Sequence, residues 1–288
     1  MASIYEIFGT DAHEMTLSLM EAANVADMIP AGASVALKPN LVLAATPDEG
    51  ATTHAGVLSG CIEYLQTHGC RDISIIEGSW VGGQTERAAR VCGYDEVCRC
   101  YNVPFYDLKT DRTRRVETPL RPMDICEKAL DAGFLINLPV LKGHCQTIMT
   151  CALKNAKGCL PDREKRRFHS EGLMRPIAAL ATALRPDLTI VDSICGDLNF
   201  EEGGNPIQRT TGRQRLSSGF RHCQAPDPLG PRGGCLFRLL CRPRSGSVYR
   251  AEGRNFSELG YCHWSRLAWE TFLWTGDRKL LCHGQRAR

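Results

Sequence analysis

Five short apolar runs rich in branched residues punctuate the chain up to about residue 190: Ser3–Ile7, Ala33–Leu37, Asp72–Ile76, Ala132–Ile136 and Asp187–Val191. Between them lie stretches in which apolar residues recur at helical spacing. In Glu14–Met28, for example, Met15, Leu19, Ala22, Ala23 and Met28 share one face, and Ile29-Pro30-Ala-Gly32 ends the pattern. Short apolar strands alternating with amphipathic helices predict parallel pairing through right-handed crossovers. The expected fold class is therefore α/β, a mostly parallel β-sheet flanked by helices, with an irregular carboxyl-terminal tail.

Further helices are expected from Thr52 or Thr53, either of which would cap the first turn, through Val57, Cys61, Tyr64 and Leu65 to His68-Gly69. Others are expected over Glu86–Val91, Met123–Leu130, Thr147–Lys157 and Glu171–Leu184. The pattern weakens over residues 92–121, which offer only a short strand at Val103–Tyr106 and a charged turn at Lys109–Arg115; this segment reads as a peripheral excursion. The domain organisation that follows is an α/β domain over residues 1–207 and a basic tail over 208–288.

Charge sharpens that division. Residues 1–208 carry 20 basic and 27 acidic side chains, whereas residues 209–288 carry 15 basic and 5 acidic ones. All but one of the 15 are arginine, and stretches such as Gly230–Cys235 and Cys241–Gly246 read as loops with no element between them. Three readings of the tail compete. It would bind nucleic acid through arginines and Trp264, Trp269 or Trp274, or fold around metal through Cys223, Cys235, Cys241, Cys262, His263, Cys282 and His283. The reading that best fits arginine excess without periodicity is a change of reading frame after about Gln208.

The amino terminus shows neither a basic segment followed by an apolar one nor a run long enough to span a membrane, so a soluble, cytoplasmic protein without a membrane partner is expected. In that compartment the 15 cysteines are expected to be reduced thiols rather than disulfides.

Ligands of open α/β sheets bind beyond the carboxyl ends of the strands, and here those ends are polar: Lys38-Pro-Asn40, Glu77-Gly-Ser79, Asn137-Leu-Pro-Val-Leu-Lys-Gly-His144 and Asp192. His144, with an ordinary titration near neutrality, is the expected acid/base; Lys142 and Glu77 are the other candidate catalytic groups. Lys38, Asn40, His54, Ser79, Lys154, Asn155 and Lys157 are candidates for holding a small anionic substrate or cofactor, since lysines beside free helix amides suit a carboxylate or phosphate. For the lysines, a solvated helix face is the competing explanation. The glycines around Glu77–Thr85 match neither a dinucleotide nor a Walker-type phosphate loop. Asp192, Cys145, Cys151 and Cys159 are weaker candidates for a divalent metal or iron–sulfur cluster, because among the core cysteines only Cys98-Arg-Cys100 comes near the close pairing such sites use.

Taken together, Lys38-Pro-Asn-Leu-Val42, Thr52-Thr-His54, Glu77-Gly-Ser79, Asn137–His144, Cys151-Ala-Leu-Lys-Asn-Ala-Lys-Gly158 and Asp187–Asp192 resemble the domain of unknown function 362 (DUF362) family over about residues 30–207. The resemblance stops near Gly203-Gly-Asn-Pro206. It implies an α/β domain that in many relatives accompanies a ferredoxin-like iron–sulfur module, whose cysteine repeats are missing here. A distant similarity of that family to the amino-terminal part of nickel-dependent lactate racemase implies isomerase or redox chemistry as a class. The function expected is an enzyme acting on a small anion at the strand ends; the alternative is an iron–sulfur or metal-linked electron-transfer or accessory protein.

Overall fold

The computed structural model describes residues 4–9, 11–204, 206–208 and 235–241. The chain divides into two compact units, and all described residues belong to the first, Met1–Gly212 with Leu229–Glu252. The elements in order are β1 (Ile4–Gly9), α1 (Ala12–Ala22), β2 (Val35–Pro39), α2 (Ala55–Thr67), β3 (Ile73–Glu77), α3 (Thr85–Val91), α4 (Tyr94–Tyr101) and β4 (Phe105–Asp107). There follow β5 (Thr113–Val116), β6 (Met123–Cys126), α5 (Glu127–Leu130), β7 (Phe134–Leu138), β8 (Lys142–His144), β9 (Ile148–Thr150) and α6 (Ala152–Asn155). The last are α7 (Asp162–Ser170), α8 (Met174–Ala183), β10 (Leu188–Ser193), β11 (Cys195–Asp197), β12 (Pro206–Gln208) and β13 (Cys235–Cys241).

The main sheet runs β1-β13-β10-β7-β2-β3-β4. Its five strands from β10 to β4 are parallel, and β13 pairs antiparallel with both β1 and β10. Alternation splits the strand side chains between two cores. Val35, Leu37, Ile73, Ile75, Phe134, Ile136, Leu188 and Ile190 pack with α1, α2 and α4, while Ala36, Ile76 and Leu135 pack with α7 and α8 through Phe168, Ile177 and Leu180. Burial of both faces is why these strands read as near-continuous apolar runs. Among the described residues no helix is long and apolar enough to cross a membrane.

The five expected strands are present, each ending one or two residues later than its apolar run. The extension takes in Lys38, Glu77, Asn137 and Asp192, which are strand residues buried at the sheet's carboxyl edge. Several helices differ. The one expected over Glu14–Met28 breaks at Asn24, whose φ of 47° is left-handed, and resumes as a 3-10 turn, Val25–Met28. Neither Thr52 nor Thr53 caps α2; both hydroxyls reach across loops instead, and His54 stands at the cap. The expected helix Met123–Leu130 is half strand, because β6 pairs with β5 in a hairpin. The expected helix Thr147–Lys157 opens with β9, which pairs with β8. Part of the peripheral excursion, Phe105–Asp107, extends the main sheet beside β3.

In the tail, the two expected loops enclose β13, whose apolar run Cys-Leu-Phe-Arg-Leu-Leu-Cys pairs on both sides. That run carries too little periodicity to separate strand from loop on sequence alone. The nucleic-acid, metal-module and reading-frame expectations otherwise fall on residues outside those described.

Ile136 lies fully enclosed in the central strand β7 and is opposite Leu37 of β2 and Leu188 of β10. Ile136→Ala removes three carbons from a site with little room to collapse, and is expected to lower stability by about 2–5 kcal/mol, read as a lower urea midpoint at unchanged slope.

Candidate functional site

The carboxyl edge of the sheet is held by an ion pair. Lys38 Nζ of β2 lies 2.6 Å from Glu77 Oε2 of β3, and both side chains are buried. Lys38 also donates to the Pro39 carbonyl at 2.9 Å, while Glu77 Oε1 accepts from the Gly78 amide at 2.7 Å. The backbone at Gly158 closes over this pair so tightly that a Cβ there would collide with the Glu77 carboxylate and the Lys38 ammonium. Enclosed charges of this kind are tolerated because each has an opposite charge and further hydrogen bonds.

Amides bind the neighbouring strands together. Asn155 Nδ2 donates to Asn137 Oδ1 at 2.8 Å and lies 3.2 Å from the Lys38 carbonyl; Asn137 Nδ2 donates to the Ala152 carbonyl at 3.0 Å. Asn40 Nδ2 donates to Asn155 Oδ1 at 2.8 Å, and its own amide N–H donates to Thr53 Oγ1, also at 2.8 Å. Thr53 passes its hydroxyl proton to the Leu138 carbonyl, 2.7 Å away. Two buried oxygens at this end, Asn40 Oδ1 and Thr150 Oγ1, have no hydrogen-bond partner among the described residues.

His54 and Asp192 form a second unit. Asp192, fully buried at the end of β10, accepts from both the backbone N–H and Nδ1–H of His54 through Oδ2, each at 2.8 Å, and from the Ile194 amide through Oδ1. Burial alone would lower the imidazole, but the Asp192 carboxylate overcomes it and holds the ring above its ordinary titration range. Nε2 lies on the side of Asp48, 4.0 Å away.

Lys142, in β8, is enclosed and donates to the carbonyls of Ala51 at 2.5 Å and Glu201 at 2.6 Å. Burial, with Lys154 adding repulsion, holds it well below the ordinary lysine range. His144 ends β8, and its Nδ1 accepts from the amides of Gln146 at 3.0 Å and Thr147 at 3.2 Å. The ring proton therefore resides on Nε2, which faces Glu201 Oε1 at 3.5 Å. Burial first, then Lys154, Lys157 and Lys142, bring His144 down to about 4. The ring is thus a neutral donor at pH 7, rather than the group titrating near neutrality that the sequence suggests.

Among the described residues, His144, Cys145 and Glu201 form the one group of three possible metal ligands, their donor atoms within 4.8 Å of one another. The ring orientation opposes that use. A histidine bound to metal through Nε2 carries its proton on Nδ1 and donates it onward, whereas here two N–H groups point at Nδ1. Cys145 instead donates to Glu201 Oε1 at 3.2 Å, a bond that, with some burial, raises the thiol. Cys159 is enclosed, and burial pushes its thiol up to about 12; Cys151 is half-buried at the start of α6. These donors do not fit an iron–sulfur cluster, which takes closely grouped thiolates.

Around His144 gathers an excess of cations. Lys154 is half-buried and, among the described residues, makes no hydrogen bond or ion pair. Burial, with Lys38 repelling and Glu201 and Cys145 opposing, lowers it to about 8. Lys157 falls to about 7 through burial and the nearness of Lys154 and Lys165. Its Nζ lies 2.6 Å from His169 Nε2, while His169 Nδ1 lies 3.3 Å from Gln146 Oε1. Lys165 is buried against the carbonyls of Gly78 at 2.9 Å and Ser79 at 2.8 Å. The glycine loop after β3 thus presents its carbonyls to lysines, Lys109 binding those of Trp80 and Gly83. Ser79 is buried, its hydroxyl 3.1 Å from that of Thr85.

Three residues of this cluster, Lys165, His169 and Glu201, went unmarked in the sequence. Lys165 and His169 sit in a charged helix, and Glu201 follows the last parallel strand in a polar stretch. Only the i, i+4 spacing of Lys165 and His169 on α7, which places both on one face, offered a signal.

Residues 35–214 match the family described as Domain of unknown function (DUF362). The chain is also similar to a thylakoid-associated protein of Synechocystis sp., at 27% identity over 187 residues; the matched region covers 63% of this chain and 56% of that protein.

Removing one partner of the enclosed ion pair leaves the other charge without compensation. Glu77→Ala is expected to cost about 3–5 kcal/mol of stability, whereas the double change Lys38→Met with Glu77→Leu should recover most of it, as measured by urea unfolding.

Proposed function

This chain belongs to the DUF362 family, and we propose that within it the protein is an enzyme of isomerase or redox type that binds a small carboxylate- or phosphate-bearing molecule at the carboxyl ends of the parallel strands. The observation that carries the reading is Lys154. Its half-buried ammonium has no partner of its own among the described residues and stands among Lys142, Lys157 and His144. Crowded cations lowered by burial and by one another are stabilised when an anion enters, so the affinity and the lowered titrations share one cause. The buried Thr150 hydroxyl, without a partner among the described residues, can donate to the same anion.

Roles follow from the geometry. Lys154 holds the anion, with Lys157 beside it. Neutral His144 directs Nε2–H toward an oxygen of the bound molecule in place of Glu201, and so acts as a donor to developing negative charge. His54, oriented by Asp192 and held above the ordinary imidazole range, is the group suited to keep a proton and deliver it. Glu77, Lys38 and Lys142 keep these parts in place. The metal-linked alternative rests on His144, Cys145 and Glu201, and the ring tautomer weighs against it. The proposal keeps the protein in the cytoplasm.

Inorganic phosphate is the simplest probe. Titration calorimetry at pH 7 should show binding that weakens about tenfold or more in Lys154→Ala, a loss of roughly 1.4 kcal/mol, with the unfolding midpoint unchanged. No difference between the two proteins would overturn the reading.

The pH dependence has a defined sign. Lys154 and Lys157 titrate at about 8 and about 7 in the folded protein, below the free amine, and an anion draws both upward. Binding near pH 7.5 should therefore take up protons, seen as a dependence of the heat on the buffer's ionisation enthalpy, and affinity should fall as pH rises from about 7 to about 9. The groups facing the two lysines are Lys38, Lys142, Lys165, His144, His169, Cys145 and Glu201; of these, Glu201 alone is ionised and acidic across that range.

A further inference from the structure

Lys157, His169 and Gln146 are joined end to end by hydrogen bonds, and each link fixes the next. Gln146 Oε1 can only accept, so the 3.3 Å contact requires His169 to carry its proton on Nδ1. That leaves the lone pair of His169 Nε2 facing the Lys157 amine at 2.6 Å, where the nitrogen accepts a proton from the lysine. A nucleophile, a base in contact with it and a third group that orients the base make the arrangement by which side chains are activated for covalent catalysis. No carboxylate lies within ion-pair distance of Lys157 among the described residues, so the amine is not tied up as a structural cation. His169 is exposed and Lys157 half-buried, which leaves the amine open to a small molecule.

We propose that Lys157 is a nucleophile that forms an imine with a small carbonyl compound carrying an anionic group, with His169 as its general base and Gln146 as the residue that positions His169. Burial and the neighbouring lysines lower both partners, Lys157 to about 7 and His169 below the ordinary imidazole range, so neither group holds its proton firmly near neutrality.

The steps balance without any further reagent. The Lys157 ammonium passes a proton to His169 Nε2, and the freed nitrogen pair attacks the carbonyl carbon as the carbonyl π pair moves onto oxygen. The new C–N bond sheds one nitrogen proton and the oxygen gains one, giving a carbinolamine. The hydroxyl then leaves as water with the proton held by the His169 imidazolium, while the nitrogen pair closes the C=N bond. One ammonium and one carbonyl become one iminium and one water, with His169 neutral again and no change of oxidation state. The iminium nitrogen would serve as an electron sink for a bond broken at the adjacent carbon. Lys154, three residues earlier, is placed to hold the substrate's anionic group. That last assignment rests on the anion-binding reading above; the nucleophile does not.

The test is reductive trapping on the full chain. The protein is incubated near pH 7 with sodium cyanoborohydride and either glyoxylate or the neutral acetaldehyde, and labelled lysines are located by peptide mass mapping. Glyoxylate is expected to label Lys157 at least about tenfold faster than Lys109 or Lys128, which lie outside the cluster, and Lys157→Arg should abolish the fast phase. His169→Asn should slow labelling of Lys157 about tenfold or more at pH 6, where the ammonium predominates and its proton must be taken by the imidazole, and recover most of the rate by about pH 9, where an amine that titrates at about 7 is free unaided. Gln146→Leu should act the same way but less strongly, a pH-dependent defect that a merely structural role would not produce. Labelling of Lys157 at the rate of the other lysines, or a His169→Asn protein equally fast at pH 6, would overturn the inference even if phosphate still binds. Fast labelling of Lys157 by acetaldehyde and glyoxylate alike would leave the nucleophile standing and overturn the anion site.

Discussion

The structure turns on a charge that the fold must keep buried. Lys38 and Glu77 stand at the ends of adjacent parallel strands, 2.6 Å apart, with Gly158 closed over them. Parallel sheets bury both faces, so a strand that carries a charged residue into its last position needs a partner from its neighbour. That requirement fixes how far β2 and β3 extend, forces the 156–159 turn against the sheet edge, and admits glycine alone at its closest point. The same turn carries Lys157 outward and leaves Lys154 three residues behind it. The placement of the cation cluster is thus a consequence of how the ion pair is covered.

Much of this was legible in the sequence, and the reason lies in periodicity. The β-branched runs at Val35, Ile73, Phe134 and Leu188 are strands because both of their faces are apolar, and the family resemblance covers nearly the same span as the 35–214 match. Helix against strand was harder where polar contacts override local pattern. Met123–Cys126 carries a helical pattern but finds hydrogen bonds across the hairpin with β5, and Ile148–Thr150 does the same with β8. Thr53 has the right chemistry for a helix cap, yet its hydroxyl is taken by the Leu138 carbonyl, 85 residues away, which no local rule reveals.

The site was half legible. Strand ends pointed to Lys38, Asn40, Glu77, Asn137 and Asp192, and the structure gathers them at one edge. It also separates two kinds of polar residue that look alike in a sequence. Lys38, Lys142 and Asn155 have hydrogen bonds to other parts of the chain, whereas Lys154 has none among the described residues. His144 shows the limit most clearly. An imidazole at a strand exit suggests a proton shuttle, but burial, three lysines nearby and two backbone amides on Nδ1 make it a neutral donor. Those amides belong to Gln146 and Thr147, so the property resides in a turn and not in the residue's type.

The anchoring of Lys142 bears on where the domain can be cut. The last strand of the parallel core ends at Ser193, and strand topology alone would make that a natural boundary. Yet one of the two carbonyls holding the enclosed ammonium comes from Glu201, and the other from Ala51, in the loop between β2 and α2. A fragment trimmed back to Ser193 would strip an acceptor from a sealed-in charge and loosen two distant loops at once. The parallel core therefore draws on chain beyond its own strands, through Glu201, even before β13 joins the sheet beside β10.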